Sequence, residues 1–163
     1  MINSLDRRRF FVGLAGMASA IALGGAGKPA KRFEVELTEA EWRKRLTADQ
    51  FAVLRKHKTE YPGSSPLNRE KRAGIFACAG CALPLFSAKT KFESGTGWPS
   101  FYQPLKNAIG TTVDRSLMMV RTEVHCRRCG GHLGHVFEDG PPPTGLRYCM
   151  NGDAMKFLPA GRA

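Results

Sequence analysis

Two C-x-x-C pairs, Cys78–Cys81 and Cys126–Cys129, constrain this chain more than any other feature. A two-residue gap sets both sulfurs of a pair on one metal ion, and four soft ligands in two such turns fill a closed tetrahedral site. Gly80 and Gly130 permit the tight backbone these turns need. The pairs are separated by the 44 residues 82–125, more than the roughly 15–20 of a compact zinc ribbon. An ion held here therefore ties distant parts of one domain together. With no open position it is structural rather than catalytic; zinc is the first candidate, and iron in a rubredoxin-like site is the competitor. The same four thiols could instead form two disulfides.

The fifth cysteine, Cys149, has no partner thiol left. It lies in Arg147-Tyr148-Cys149-Met150-Asn151, a strand-like run in which the charge of Arg147 favours thiolate over thiol. Upstream, Gly131–Phe137 carries His132 and His135, two imidazoles that a four-thiolate metal does not need. A lone buried cysteine is often only a small hydrophobe. A solitary thiol with spare histidines nearby in the sequence is also the pattern of a nucleophile with proton donors. The chain reads as an enzyme with a structural metal.

At 163 residues the chain has room for one domain with a real core. Its first residues read as a targeting segment: Arg7-Arg8-Arg9 precedes Phe10–Gly27, which carries no charge and includes five glycines. A basic start and a weakly hydrophobic run resemble a twin-arginine secretory signal more than a membrane span. The expected divisions are a signal at 1–26, a linker at 27–36, a folded domain at 37–158 and a tail at 159–163. The expected location is the periplasm, with membrane anchoring only if the signal stays uncleaved. The net charge of +11 falls to +9 without residues 1–26, and four thiolates on zinc remove two more. The basic residues of 28–58 are interspersed with acidic ones, which reads as a solvated helical face and not as a nucleic-acid stripe.

Thr38-Glu39-Ala40-Glu41 has the capping-box pattern, so a short helix should follow to about Thr47, with Leu37, Trp42 and Leu46 facing inward. A second helix is expected around Thr47–His57, and Tyr61-Pro62-Gly63 breaks the chain. From Gly74 onward, short apolar runs alternate with Gly, Pro and Asn, the texture of a small antiparallel β domain. The run Met118–Val124 reads as the clearest strand.

The stretches Lys91–Phe101, Cys126–Phe137 and Gly140–Asn151 resemble the type B methionine sulfoxide reductases, in the family's motif order and over roughly residues 37–158. The resemblance implies a mainly β fold of two packed, barrel-like sheets with short N-terminal helices and a structural zinc held by the four paired cysteines. It implies reduction of peptide-bound methionine (R)-S-oxide, with Cys149 as nucleophile and His135 and His132 protonating or hydrogen-bonding the oxygen. Asn151 orients the site, Arg147 supports the thiolate, and Trp98 and Phe137 wall in the methyl group. Where many members carry a second, resolving cysteine, this chain has Thr96. With four thiols on metal, the sulfenic acid left on Cys149 must then meet an external thiol, thioredoxin-like or other. Oxidised proteins are the implied substrates, with no nucleic acid and no stable membrane association, and the domain is expected to be a monomer. Two competing readings are an exported zinc domain that only binds protein partners, and a basic zinc-ribbon module that binds nucleic acid.

Overall fold

The computed structural model describes residues 33–161. The signal expected at 1–26 and most of the linker lie outside the described residues. Thr38 caps the first helix, α1 (Glu39–Arg45): its hydroxyl accepts from the Glu41 amide while the Glu41 carboxylate accepts from the Thr38 amide. Thr47 and Gln50 repeat the device at α2 (Ala48–Lys56). Both helices lay their apolar side chains on the domain, burying Trp42, Leu46, Phe51, Val53 and Leu54. Among the described residues no helix is long and apolar enough to cross a membrane.

The strands are β1 (Gly74–Cys78), β2 (Pro84–Ser87), β3 (Lys91–Phe92), β4 (Ser100–Phe101), β5 (Ile109–Asp114), β6 (Arg121–Cys126), β7 (His132–Phe137), β8 (Arg147–Met150) and β9 (Met155–Pro159). They form two antiparallel sheets, one ordered β2-β1-β9 and one ordered β3-β4-β8-β7-β6-β5. The sheets share a core whose centre is aromatic. Phe86 of β2 stacks on Phe101 of β4 at 4.4 Å between centroids, and Phe76 of β1 meets the same ring edge-on at 4.9 Å. All three are fully buried, and each such burial stabilises the fold by about 1.5–3 kcal/mol. The expected mainly β architecture with two short N-terminal helices is what the chain adopts.

Two local expectations change. Met118–Val124 is not one strand. Ser116–Met118 is a 3-10 turn, Met118 has φ +55°, and pairing begins only at Arg121. The apolar residues Met118, Met119 and Val120 are exposed because they form the tip between β5 and β6, where no second layer covers them among the described residues. Residues 33–36, assigned to the linker, rest on the domain instead. The Val35 amide donates to the Arg128 carbonyl at 3.0 Å, Phe33 packs edge-on to His125, and Glu34 pairs with Arg127.

Candidate active site and metal centre

The hairpin β7–β8 builds the site. In its register His135 stands directly opposite Cys149, and Phe137 opposite Arg147. Directly opposed residues of antiparallel strands share a face, with Cβ atoms about 4.5–5.5 Å apart, and a period of two brings Arg147, Cys149 and Asn151 to that same face. A pocket of about 140 Å3 opens there, lined by Thr59, Trp98, Arg121, Gly134, His135, Phe137, Cys149 and Asn151. Of the residues expected at the site, Cys149, His135, Asn151, Trp98 and Phe137 converge on it.

Buried hydrogen bonds to the segment before the first sheet hold the walls. The Trp98 indole N–H donates to the Glu60 carbonyl at 3.2 Å, and the Glu60 amide donates to Asn151 Oδ1 at 3.1 Å. Asn151 also donates through Nδ2 to the Leu133 carbonyl at 3.0 Å, so its rotamer is held from both ends. The Glu60 carboxylate accepts from the amides of Gly152 and Asp153, each at 2.8 Å, which locks the turn after β8. Burial raises the Glu60 carboxyl pKa, and these two amides offset only part of that rise.

Cys149 is half-buried, and burial pushes its thiol pKa up. Hydrogen bonds from Thr96 and Ser100 and the charge of Arg147 work against that push without overcoming it. Thr96 Oγ1 lies 3.8 Å from Cys149 Sγ at the end of a hydroxyl chain through Ser94 to Ser100. Arg147 is less free than its sequence position suggests. Its guanidinium pairs with both Asp139 oxygens at 2.8 Å and lies 4.5 Å over the Phe137 ring, so part of its charge is compensated locally.

The two histidines divide. His135 Nε2 meets Asp114 Oδ2 at 2.8 Å, and Arg121 Nη2 reaches the same oxygen at 2.7 Å. Burial lowers the His135 pKa, and the Asp114 carboxylate raises it part of the way back. Arg121 Nε is buried and meets no protein acceptor among the described residues. His132 does not line the pocket. It is buried behind His135, with ring centroids 5.5 Å apart, and its Nδ1 meets Glu123 Oε1 at 2.8 Å. No sequence motif points to Thr59, Arg121, Asp114, Glu123 or Glu60: Thr59 enters only as pocket lining, and the other four act through pairings that no fixed spacing announces.

The four other cysteines gather in one cluster, their sulfurs all within 4.8 Å of one another. Cys78 Sγ lies 3.7 Å from Cys129 Sγ, and Cys81 Sγ lies 3.5 Å from Cys126 Sγ. A disulfide requires about 2.05 Å, whereas tetrahedral Zn–S bonds of about 2.3 Å set the sulfurs about 3.8 Å apart. The donor set therefore fits zinc and not two disulfides. Four thiolates this close repel one another. Only a cation lets all four carry charge together. The cluster joins the end of β1 in the small sheet to the β6–β7 turn of the large one.

A thiol and an imidazole share one pocket, apart from a cluster of four cysteines spaced for a structural zinc, an arrangement that suits an oxidoreductase. The SelR domain family matches residues 46–159. A peptide methionine sulfoxide reductase MsrB of Agrobacterium fabrum is 50% identical over 127 residues, covering 77% of this chain and 94% of the relative. An enzyme of the same name from Pseudomonas putida is 52% identical over 77% of this chain and 96% of its own length, and one from Methanosarcina barkeri is 53% identical over 76% and 87%. The chain belongs to this family of oxidoreductases.

Proposed function

We propose that the protein reduces the R epimer of peptide-bound methionine sulfoxide, with Cys149 as its only catalytic thiol. One observation carries the reading: Cys149 and His135 face each other across a pocket whose other walls are Trp98, Phe137 and Asn151. The sulfoxide methyl group sits against the two aromatic rings. Cys149 attacks the substrate sulfur as a thiolate, and His135 gives a proton to the oxygen as the S–O bond weakens. The oxygen passes to Cys149, so methionine leaves and a sulfenic acid remains. His135 is oriented by Asp114, while His132, fixed by Glu123, backs its ring. Arg121, paired with Asp114, adds positive charge to the pocket wall. Asn151 and Trp98 keep their places through Glu60.

Regeneration comes from outside. Thr96 stands nearest the Cys149 sulfur, and the other four cysteines form the clamp, which we assign to one structural zinc. An external thiol condenses with the sulfenic acid, releasing water and forming a mixed disulfide; a second thiol then restores Cys149. The substrates are oxidised proteins, and the reductant is a thioredoxin-like protein or another thiol. The twin-arginine-like segment at residues 1–26 supports export and a repair role outside the cytoplasm. Retention in the cytosolic fraction of cells expressing the full chain would argue against export.

The decisive test is turnover of separate R and S epimers of a peptide-like methionine sulfoxide with dithiothreitol, in the wild type and in Cys149→Ser. Activity on R alone, abolished in the variant, is the expected result. Turnover of S, or residual turnover in the variant, overturns the assignment.

A further inference from the structure

Glu123 carries more imidazole than a hydrogen-bond acceptor needs. His132 Nδ1 lies 2.8 Å and His57 Nδ1 3.4 Å from the same oxygen, Oε1, and the three ligand atoms all lie within 4.8 Å of one another. Bonds of about 2.0–2.1 Å to a tetrahedral ion separate neighbouring ligand atoms by about 3.3 Å, so the observed spacings bracket that value. His125 Nδ1 lies 3.9 Å from the other oxygen, Oε2, too far to hydrogen-bond to it. These residues come from three elements: His57 caps α2, Glu123 lies in β6 and His132 opens β7.

His57 shows how the cluster is reached from solvent. It caps α2 in the left-handed conformation, φ +55° and ψ +28°, uncommon for a residue other than glycine. Its side chain is 62% exposed, while Glu123 and His132 beneath it are buried to 13% and 3%. All three line a cavity of about 490 Å3 that adjoins the catalytic pocket and shares Thr59, Arg121 and His135 with it. The cavity leaves water room to complete a coordination shell, as in open and exchangeable sites. Burial and the neighbouring His132 lower the His57 pKa, which keeps its ring neutral and able to ligate near neutrality.

We infer that His57, Glu123 and His132 form a second, exchangeable site for a borderline divalent cation such as Zn2+, Co2+ or Ni2+, at the rim of the catalytic centre. Two nitrogen donors and one carboxylate suit these ions and exclude the hard Mg2+ and Ca2+. His132 packs against the His135 ring, with centroids 5.5 Å apart, so an ion that draws His132 toward Glu123 and His57 disturbs the wall shared with the catalytic pocket and slows the reductase. That consequence rests on the proposed reaction; the binding itself does not.

The test separates the two. Cys149→Ser protein, with its clamp zinc-loaded, is titrated with Co2+. The expected result is one further saturable equivalent whose weak visible bands lack thiolate charge transfer. His57→Gly, which suits the left-handed cap but supplies no ligand, should weaken that binding by more than about tenfold, the loss that even an outer-sphere partner can cause. A Co2+ spectrum with thiolate bands, no saturable second equivalent, or binding indifferent to His57→Gly would overturn the site. In a companion measurement, wild-type protein with intact Cys149 performs a single turnover without added thiol, since thiols chelate the ion. Zinc beyond one equivalent should slow it, and His57→Gly should turn over normally and lose the slowing. Binding without slowing would overturn only the regulatory consequence. A protein that binds the ion yet turns over neither epimer would overturn only the proposed reaction.

Discussion

Cys149 and His135 are tuned in opposite senses to the usual active pair. Burial raises the thiol and lowers the imidazole, so in the free protein the thiolate–imidazolium combination is a minority across a broad pH range. Such a pair gives a rate plateau between the two pKa values, whose height depends on how far apart they lie. Asp114 raises the His135 pKa, so Asp114→Asn should lower it. The low-pH limb then moves to lower pH and the plateau drops, by less than the roughly 100-fold that loss of an acid catalyst costs. Single-turnover rates across the acid and alkaline limbs give both readings, and an unchanged profile would remove Asp114 from the mechanism. Thr96 makes a second prediction possible. Its hydroxyl lies 3.8 Å from the Cys149 sulfur, so a thiol in its place needs only a small shift to reach bonding distance. Thr96→Cys protein should lose two free thiols after one equivalent of substrate, whereas the wild type should carry only a sulfenic acid. Thiol counting by mass spectrometry distinguishes them.

At the scale of elements, the β7–β8 hairpin decides whether there is a site. Gly134 lets these strands close, because a Cβ there would collide with the Cys149 carbonyl oxygen and come within 3.0 Å of Met150 Cα. Gly134→Ala should force the strands apart, cost about 1–3 kcal/mol as overpacking does, and reduce turnover through a displaced Cys149. A thermal melt and a single-turnover assay together check it; an unchanged melting temperature with full activity would show the hairpin to be more pliant than its contacts imply. The same elements show what the sequence could reveal. Helix α1 is legible because Thr38 opens a capping box, α2 because Phe51, Val53 and Leu54 recur on one face, and the cysteine pairs because their spacing is chemistry in itself. The Met118–Val124 run misled because an apolar run shows that residues are hydrophobic but not that anything covers them. Two-residue strands such as β3 and β4 leave no periodicity to detect. Asp114, Glu123 and Arg121 stayed hidden because their importance arises from the pairing of β5 with β6 and β6 with β7. Glu60, 91 residues from Asn151, depends on the whole fold.

For the molecule as a whole, a zinc ion on the four cysteines would tie the two sheets together, since Cys78 and Cys81 belong to the small sheet's side and Cys126 and Cys129 to the large one's. Structural zinc contributes about 10–16 kcal/mol to such sites, as much as the roughly 5–15 kcal/mol that holds a typical domain folded. Chelation, or Cys126→Ser, should therefore unfold the domain instead of merely silencing it, with loss of β-sheet circular dichroism alongside activity. A metal-free protein that kept its spectrum would show the aromatic core to be sufficient alone. The pocket itself sets a limit of another kind. At about 140 Å3 it is smaller than the roughly 300 Å3 at which small-molecule sites begin, so it admits one side chain and leaves the donor's backbone outside. A sulfoxide still packed inside its own protein cannot be presented to it. On the proposed reaction the cleft thus sorts its clients by exposure: sulfoxides that project from a surface or a loosened segment reach it, and those that a sound fold hides do not.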